Sequence, residues 1–274
     1  MSFIKRFFRF VVFHLFKNPA YLFVYAATYF LPGFKIKINF YKHEDIVKLL
    51  EEGKSLIRFG DGEIHIMNYG PVHYQKFEKK IRDTFFETIR NYKEDSPYVL
   101  CLNELPITQT NRELRKRNLL HSLLPVKSYY QLYFPKNLKY FDQMFFYYND
   151  TFSKYVESFL LDKKVVIITR TQTVTSLKHN PRMPLKDVVY IETPEQHAFS
   201  AYEAICHKLD EVVGQSPSDK TIVVLAAFGP ASKVLAYEYS MKYKNVIVID
   251  IGRGIEILYS EAKIDDHIFP EYAP

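Results

Sequence analysis

"TIVVLAAFGPASKVLAYEYSMKYKNVIVIDIG", residues 221–252, reads as strand, helix, strand. Its two β-branched runs, "TIVVLAAF" and "NVIVIDIG", are apolar without alternation, as strands covered on both faces must be. The segment between them carries Pro230 at the first helical position, where a missing N–H costs nothing. Two strands joined by a helix rather than a tight turn make a parallel pair. Outward from this unit, "KVVIITR" (164–170), "VVYIET" (188–193), "SLIRF" (55–59) and "YVLCLN" (98–103) repeat the pattern, with helical stretches such as "PEQHAFSAYEAICHKLDEVV", "EDIVKLLEEGK" and "YQKFEKKIRDTFFETIRNY" between them. The expected fold is α/β: a Rossmann-like, mostly parallel sheet of about six strands with helices on both faces. The aromatic and basic middle of the chain reads as helices near 111–124 and 137–161 with no strand, inserted over one end of the sheet.

The chain has 274 residues, 47% of them hydrophobic, enough for a sizeable core. Its net charge of +6 raises nucleic-acid binding, and the position of the charge argues against it. Lys5, Arg6, Arg9, Lys17, Lys35, Lys37 and Lys42 precede the first acid, Glu44. Of 37 Lys and Arg, the remaining 30 face all 31 Asp and Glu, so the body is near neutral. The organisation expected is a basic aromatic arm over 1–42 and one domain over 43–274. Cys101 and Cys206, far apart in apolar segments, offer neither a disulfide framework nor a zinc cluster and suit a reducing cytoplasm.

The arm opens "MSFIKRFFRFVVFHLFKN". As a helix it sets Phe3, Ile4, Phe7, Phe8, Val11 and Leu15 on one side and Lys5, Arg6, Arg9 and Lys17 on the other, with His14 alone out of place. That is the pattern of a helix lying in a membrane interface, drawn by anionic lipid and held by buried rings. The uncharged "AYLFVYAATYFLPGF" that follows contains Pro32 and falls short of the roughly 20 residues a span requires. Residues 1–34 are therefore expected to meet the inner face of the cell membrane peripherally. A secretory signal is one rival reading, and packing on the body or in a homodimer is another.

In open α/β sheets, ligands bind beyond the carboxyl ends of the strands. "RFGDGE", residues 58–63, stands at such an end. Read as a loop, it lets the backbone bend between Gly60 and Gly62 so that Asp61 and Glu63 converge on a hard divalent ion. Mg²⁺ or Mn²⁺ suits this donor set, with water and a substrate diphosphate completing the shell. An ordinary turn with a solvated glutamate is the plainer alternative. Arg58 is placed to meet a phosphate or to pair with an acid. The second helix start, Gly229-Pro230 with Ser232 in its first turn, offers free N–H groups to an anion, or is a simple βα turn. Asp250 ends the last strand, as a contact for a donor or acceptor hydroxyl or as a cap. His65 and His197 are candidates for the site or for structural roles. No G-x-G-x-x-G, G-x-S-x-G, P-loop or H-E-x-x-H occurs.

With these residues in view, the chain resembles the bacterial glycosyltransferases of the GT-D fold, whose hallmark is a metal-binding D-x-E inside "RFGDGE", complete here from Arg58 to Glu63. "KKVVIITR", "EQHAFSAYEAI", "FGPASKVLAYEYS" and "VIVIDIGRGIEILY" are similar to further family stretches in the same order, over roughly residues 43–260. The resemblance implies transfer of a sugar from a nucleotide donor, typically a UDP-hexose, to a growing cell-surface glycan, with Mn²⁺ or Mg²⁺ held through Asp61 and Glu63. Lipid linkage of that glycan would suit the arm. Three departures stand out: Arg253 replaces the family's histidine, Ala231-Ser232 its threonine–alanine pair, and the loop after Arg170, "TQTVTSLKHNPRM", has no glycine. The same carboxylates would also serve a metal-dependent hydrolase of nucleotides or phosphate esters, or a non-catalytic membrane-bound nucleotide-binding module.

Overall fold

The computed structural model describes residues 11–147, 153–180, 183–185 and 187–259, with no side chains given for Ser153 and residues 257–259. Phe3, Ile4, Lys5, Arg6, Phe7, Phe8 and Arg9 of the expected interfacial helix lie outside the described residues.

Eight strands form one sheet: β1 (Asn39–Phe40), β2 (Ser55–Phe59), β3 (Tyr98–Leu102), β4 (Lys139–Asp142), β5 (Lys164–Arg170), β6 (Val188–Thr193), β7 (Ile222–Ala227) and β8 (Val246–Asp250). Their order is β1-β4-β3-β2-β8-β7-β5-β6. The pairs β2–β3, β2–β8, β3–β4, β5–β6, β5–β7 and β7–β8 are all parallel. All six expected strands are present, and the count of about six is corrected to eight. β1 has only two residues, too short to carry a pattern, and β4, "KYFD", lies where a helix over 137–161 was expected. Aromatic residues suit a strand as well as a helix, and Tyr140 and Phe141 are wholly buried.

β2, β3 and β8 are buried at every residue, which explains their unbroken apolar runs. Leu56, Val99, Val165, Val223, Ile247 and Ile249 share one side of the sheet in a single apolar cluster. Helices α3 (Asp61–Met67), α4 (Lys79–Arg90), α7 (Tyr202–Gly214) and α8 (Pro230–Lys242) connect the strands, with the shorter α2 (Ile46–Glu51) leading into β2. Two corrections to the local reading follow. "DGEIHIM" is the helix α3 rather than a loop, and "TQTVTSLK" is the helix α6 (Thr171–Lys178), set directly on the end of β5. Pro181 and Arg182 of that expected loop lie outside the described residues.

The chain forms two compact units. One compact unit comprises the chain to Asn39 together with Asn103–Leu138; the other comprises Phe40–Leu102 and the chain from Lys139 onward. The first unit contains a helical segment over 11–17, helix α1 (Pro19–Phe30) and helix α5 (Leu120–Tyr133). Asn18 caps α1 through Oδ1, which accepts from Tyr21 N at 3.2 Å and from the Tyr133 hydroxyl at 3.0 Å. At the other end of α1, Asn111 Nδ2 donates to Thr28 O and to Leu31 O, satisfying carbonyls a helix terminus leaves open. Lys127, fully buried, donates to Phe34 O at 2.9 Å and Gln109 O at 2.7 Å.

Candidate active site

β2 and β8 lie side by side and parallel in the middle of the sheet. In open α/β sheets, ligands bind beyond the carboxyl ends of the strands. Arg58 and Asp250 sit there, with the starts of α3 and α8.

Helix α3 begins at Asp61, and Glu63 closes its first turn. Glu63 Oε2 accepts from Gly60 N at 2.8 Å, so this carboxylate is used as the cap of its own helix. Its other oxygen, Oε1, lies 3.1 Å from Lys233 Nζ. Lys233 Nζ also stands 3.2 Å from Asp250 Oδ2, and Asp250 lies 3.5 Å from Arg58 Nε while accepting from Arg58 N at 3.2 Å. Two cations and two anions, each at most 8% exposed, thus form one chain: Glu63, Lys233, Asp250, Arg58. Burial alone pushes Glu63 up, but Lys233, the Gly60 N–H and Arg58 outweigh it and hold the carboxyl below its usual range. Burial pushes Lys233 and Arg58 down; for Lys233, Asp250 and Glu63 more than reverse this, and for Arg58, Tyr147 and Asp250 do.

The expected site residues therefore divide. Asp61, Glu63, Gly60, Gly62, Gly229, Pro230, Arg58 and Asp250 do gather at one end of the sheet. Asp61 alone among the carboxylates is exposed. Arg58 takes the alternative of pairing with an acid, Asp250: Nη1 also donates to the Tyr147 hydroxyl at 3.2 Å, and Nη2 occupies the space a Cβ at Gly252 would need. Asp250, with no exposed surface, is the acid that holds Lys233 and Arg58 rather than a contact for a sugar hydroxyl. Ser232 is likewise turned inward, its Oγ accepting from Phe228 N at 3.0 Å, so it offers no hydroxyl to a phosphate. His65 is exposed on α3 beside Gly70. His197 takes the structural alternative. In a left-handed conformation, φ 55°, it accepts from Lys76 N through Nδ1 at 3.1 Å and donates its own N–H to Tyr74 O at 2.8 Å.

That clasp fixes a residue the sequence reading missed. The Tyr74 ring lies against Gly229, where a Cβ would stand 3.0 Å from Cε2, and its hydroxyl lies over Gly62, 3.6 Å from the equivalent position. Tyr74 is 45% exposed, and burial of its hydroxyl near Glu63 pushes its pKa up to about 12. Lys233 was missed too. As one lysine in an amphipathic helix it carries no signal; only the packing of α8 on β8 and β2 turns it inward.

In kind, the donors fit a hard divalent ion: Asp61 is an exposed carboxylate and Glu63 an ionised one, two residues apart on the first turn of α3. Among the described residues, no group of three or more His, Cys, Asp or Glu side chains could hold an ion. An ion here would therefore complete its shell with water and diphosphate oxygens and share Glu63 with Lys233.

The model of the glycosyltransferase GT-D fold family matches residues 56–261, most of the second unit and the inserted segment. Three solved structures share the fold. A new glycosyltransferase (DUF1792) from Streptococcus sanguinis is 22% identical, with TM-score 0.63 over 81% of this chain and 83% of its own. A domain of unknown function 1792 described as having a distinct glycosyltransferase fold is 18% identical, with TM-score 0.64 over 87% and 84%. A selenomethionine-substituted structure of that domain is 19% identical, with TM-score 0.62 over 92% and 85%. No curated protein matches the chain. The matched model spans both helix starts, the Glu63–Lys233–Asp250–Arg58 chain and the strands that carry them, and the chain belongs to the GT-D-fold family of glycosyltransferases.

Proposed function

We propose that this glycosyltransferase moves a hexose from a UDP-sugar to a glycan acceptor of cell-surface polysaccharide or glycoconjugate synthesis, working in the cytoplasm with Mn²⁺ or Mg²⁺. The observation that carries this reading is an exposed Asp61 two residues from an ionised Glu63, at the carboxyl end of a central strand of the sheet. Asp61 and Glu63 would hold the ion. When bound, the ion supplies positive charge against the charge that builds on the departing diphosphate.

The chain's own residues provide the rest. Lys233 keeps Glu63 ionised and adds a second, fixed positive charge beside it in a water-poor setting, where charges act strongly. Asp250 holds that ammonium from behind, and Arg58 holds Asp250. Tyr74 lies against both Gly62 of α3 and Gly229 before α8, the two glycines where a diphosphate would approach. A reducing compartment agrees with two unpaired cysteines, one of them buried.

Thermal-shift measurements with UDP, GDP, dTDP and CMP, each with and without Mn²⁺, test the donor. Selective stabilisation by UDP plus Mn²⁺, rising with ligand concentration, is expected from binding to the folded state alone. Equal shifts for all four nucleotides, or none with the metal, would remove the UDP and metal parts of the reading. Release of free sugar only, whatever acceptor is offered, would point to hydrolysis.

A further inference from the structure

Helix α1, "PAYLFVYAATYF", contains no charge, and its two faces are the reverse of those on a helix that meets water. Turned inward are Tyr21 and Thr28, both of which carry hydroxyls. Tyr21 lies 1% exposed with its ring 4.8 Å from Tyr129 and 4.9 Å from His14. Turned outward are Pro19, Ala20, Phe23, Ala26 and Phe30, spaced to lie on one stripe. Phe23 and Phe30 are 76% and 75% exposed. The stripe continues at both ends, into Phe13, Leu15 and Phe16 before α1 and Leu31 after it, Phe16 being 80% exposed. His14, the residue out of place on the expected face, is buried, while Leu15 and Lys17 are both exposed. Over residues 11–17 the outward surface therefore includes both Leu15 and Lys17, which the expected helix sets on opposite sides.

We infer that the Phe16–Phe23–Phe30 stripe docks the chain onto an anionic lipid bilayer, with α1 lying in the plane of the interface. Charge complementarity selects this occupant. The first 43 residues hold seven Lys and Arg and no acid, and Lys17, Lys35 and Lys37, which flank the stripe in sequence, are exposed. An uncharged aromatic face in a segment whose only charges are cationic fits phosphate headgroups above an acyl boundary. At about 1.5 Å per residue the 12 residues of α1 are too short to cross a hydrocarbon core of about 30 Å. Among the described residues no helix is long and apolar enough to span. The inference is independent of which sugar or nucleotide the active site takes.

The test uses the full chain and vesicles of phosphatidylcholine with or without one-quarter phosphatidylglycerol. The chain should sediment with the anionic vesicles, less with phosphatidylcholine alone, and release as salt rises. The triple variant Phe16→Ser, Phe23→Ser, Phe30→Ser should partition at least about tenfold less, with an unchanged melting temperature, because these rings are outside the core. The chain has no Trp, so Phe23→Trp gives a single reporter whose emission should shift to the blue and be quenched by brominated acyl chains. The inference is overturned if the wild-type chain stays in the supernatant, if the serine variant binds as well as wild type, or if both vesicle types bind equally. It is also overturned if the emission of the Phe23→Trp variant shifts with protein concentration in the absence of lipid, which would place the stripe against a second copy.

Discussion

Lys233 Nζ lies 3.1 Å from Glu63 Oε1, joining the first turn of α8 to the first turn of α3. The two residues are 170 positions apart in sequence. The same ammonium reaches Asp250, so one lysine bridges two buried carboxylates, and Arg58 supplies the second positive charge.

Replacing Lys233 by Met should destabilise the fold by about 3–5 kcal/mol, the cost of leaving a buried charge without its partner. Urea unfolding would measure it. Adding Glu63→Gln to Lys233→Met should recover part of the loss, because one of the two stranded carboxylates is gone. If the two changes simply add, the pair is not coupled.

Gly252 has φ +52°, and a Cβ there would collide with Arg58 Nη2. Gly252→Ala should cost about 1–3 kcal/mol, from the left-handed backbone and from moving Arg58 off Asp250. Gly33, with open space around it and no left-handed φ, provides the control: Gly33→Ala should change stability by less than about 0.5 kcal/mol.

Asp61 is exposed and makes no contact that the fold requires. Asp61→Ala should therefore leave stability within about 0.5 kcal/mol while removing the metal-dependent part of nucleotide binding, read by calorimetric titration with and without Mn²⁺. Undiminished metal-dependent binding would discard Asp61 as a ligand.

Stability should rise with pH between about 8 and 10. Burial pulls both Lys127 and Lys136 down to about 8, whereas a lysine in the unfolded chain titrates near 10.4. In that window the unfolded chain keeps protons the folded chain has released, and the slope is positive. Above about 10 the sign reverses, because burial raises Tyr92 and Tyr140 and the folded chain then holds the extra protons. At the acid end, Glu63 is held below its ordinary value, so its contribution is complete above that value and is lost as pH falls through the folded one. Melting temperatures across this range check the profile, and Lys127→Met should flatten its alkaline rise.

Six strands were legible because their apolar runs are continuous, as full cover on both faces demands of the inner ones, though β6 at the edge is only half-buried; β4 was not, since Tyr140 and Phe141 fit either period. The D-x-E motif was legible as a site through its glycines and its place after a strand, yet its backbone was not. Asp and Gly favour turns, and only the cap from Glu63 to Gly60 N shows that a helix has already begun.

Sequence by itself determined the parallel α/β architecture, the end of the sheet where the site lies, and the segregation of positive charge into the first 43 residues, because patterning and charge are local properties of the chain. Only the tertiary structure decided which polar groups face the ligand and which face each other. It turned Arg58, Asp250 and Ser232 inward, brought in Lys233 and Tyr74, and set the phenylalanines of α1 outward, because those outcomes depend on what packs across each residue rather than on what precedes it.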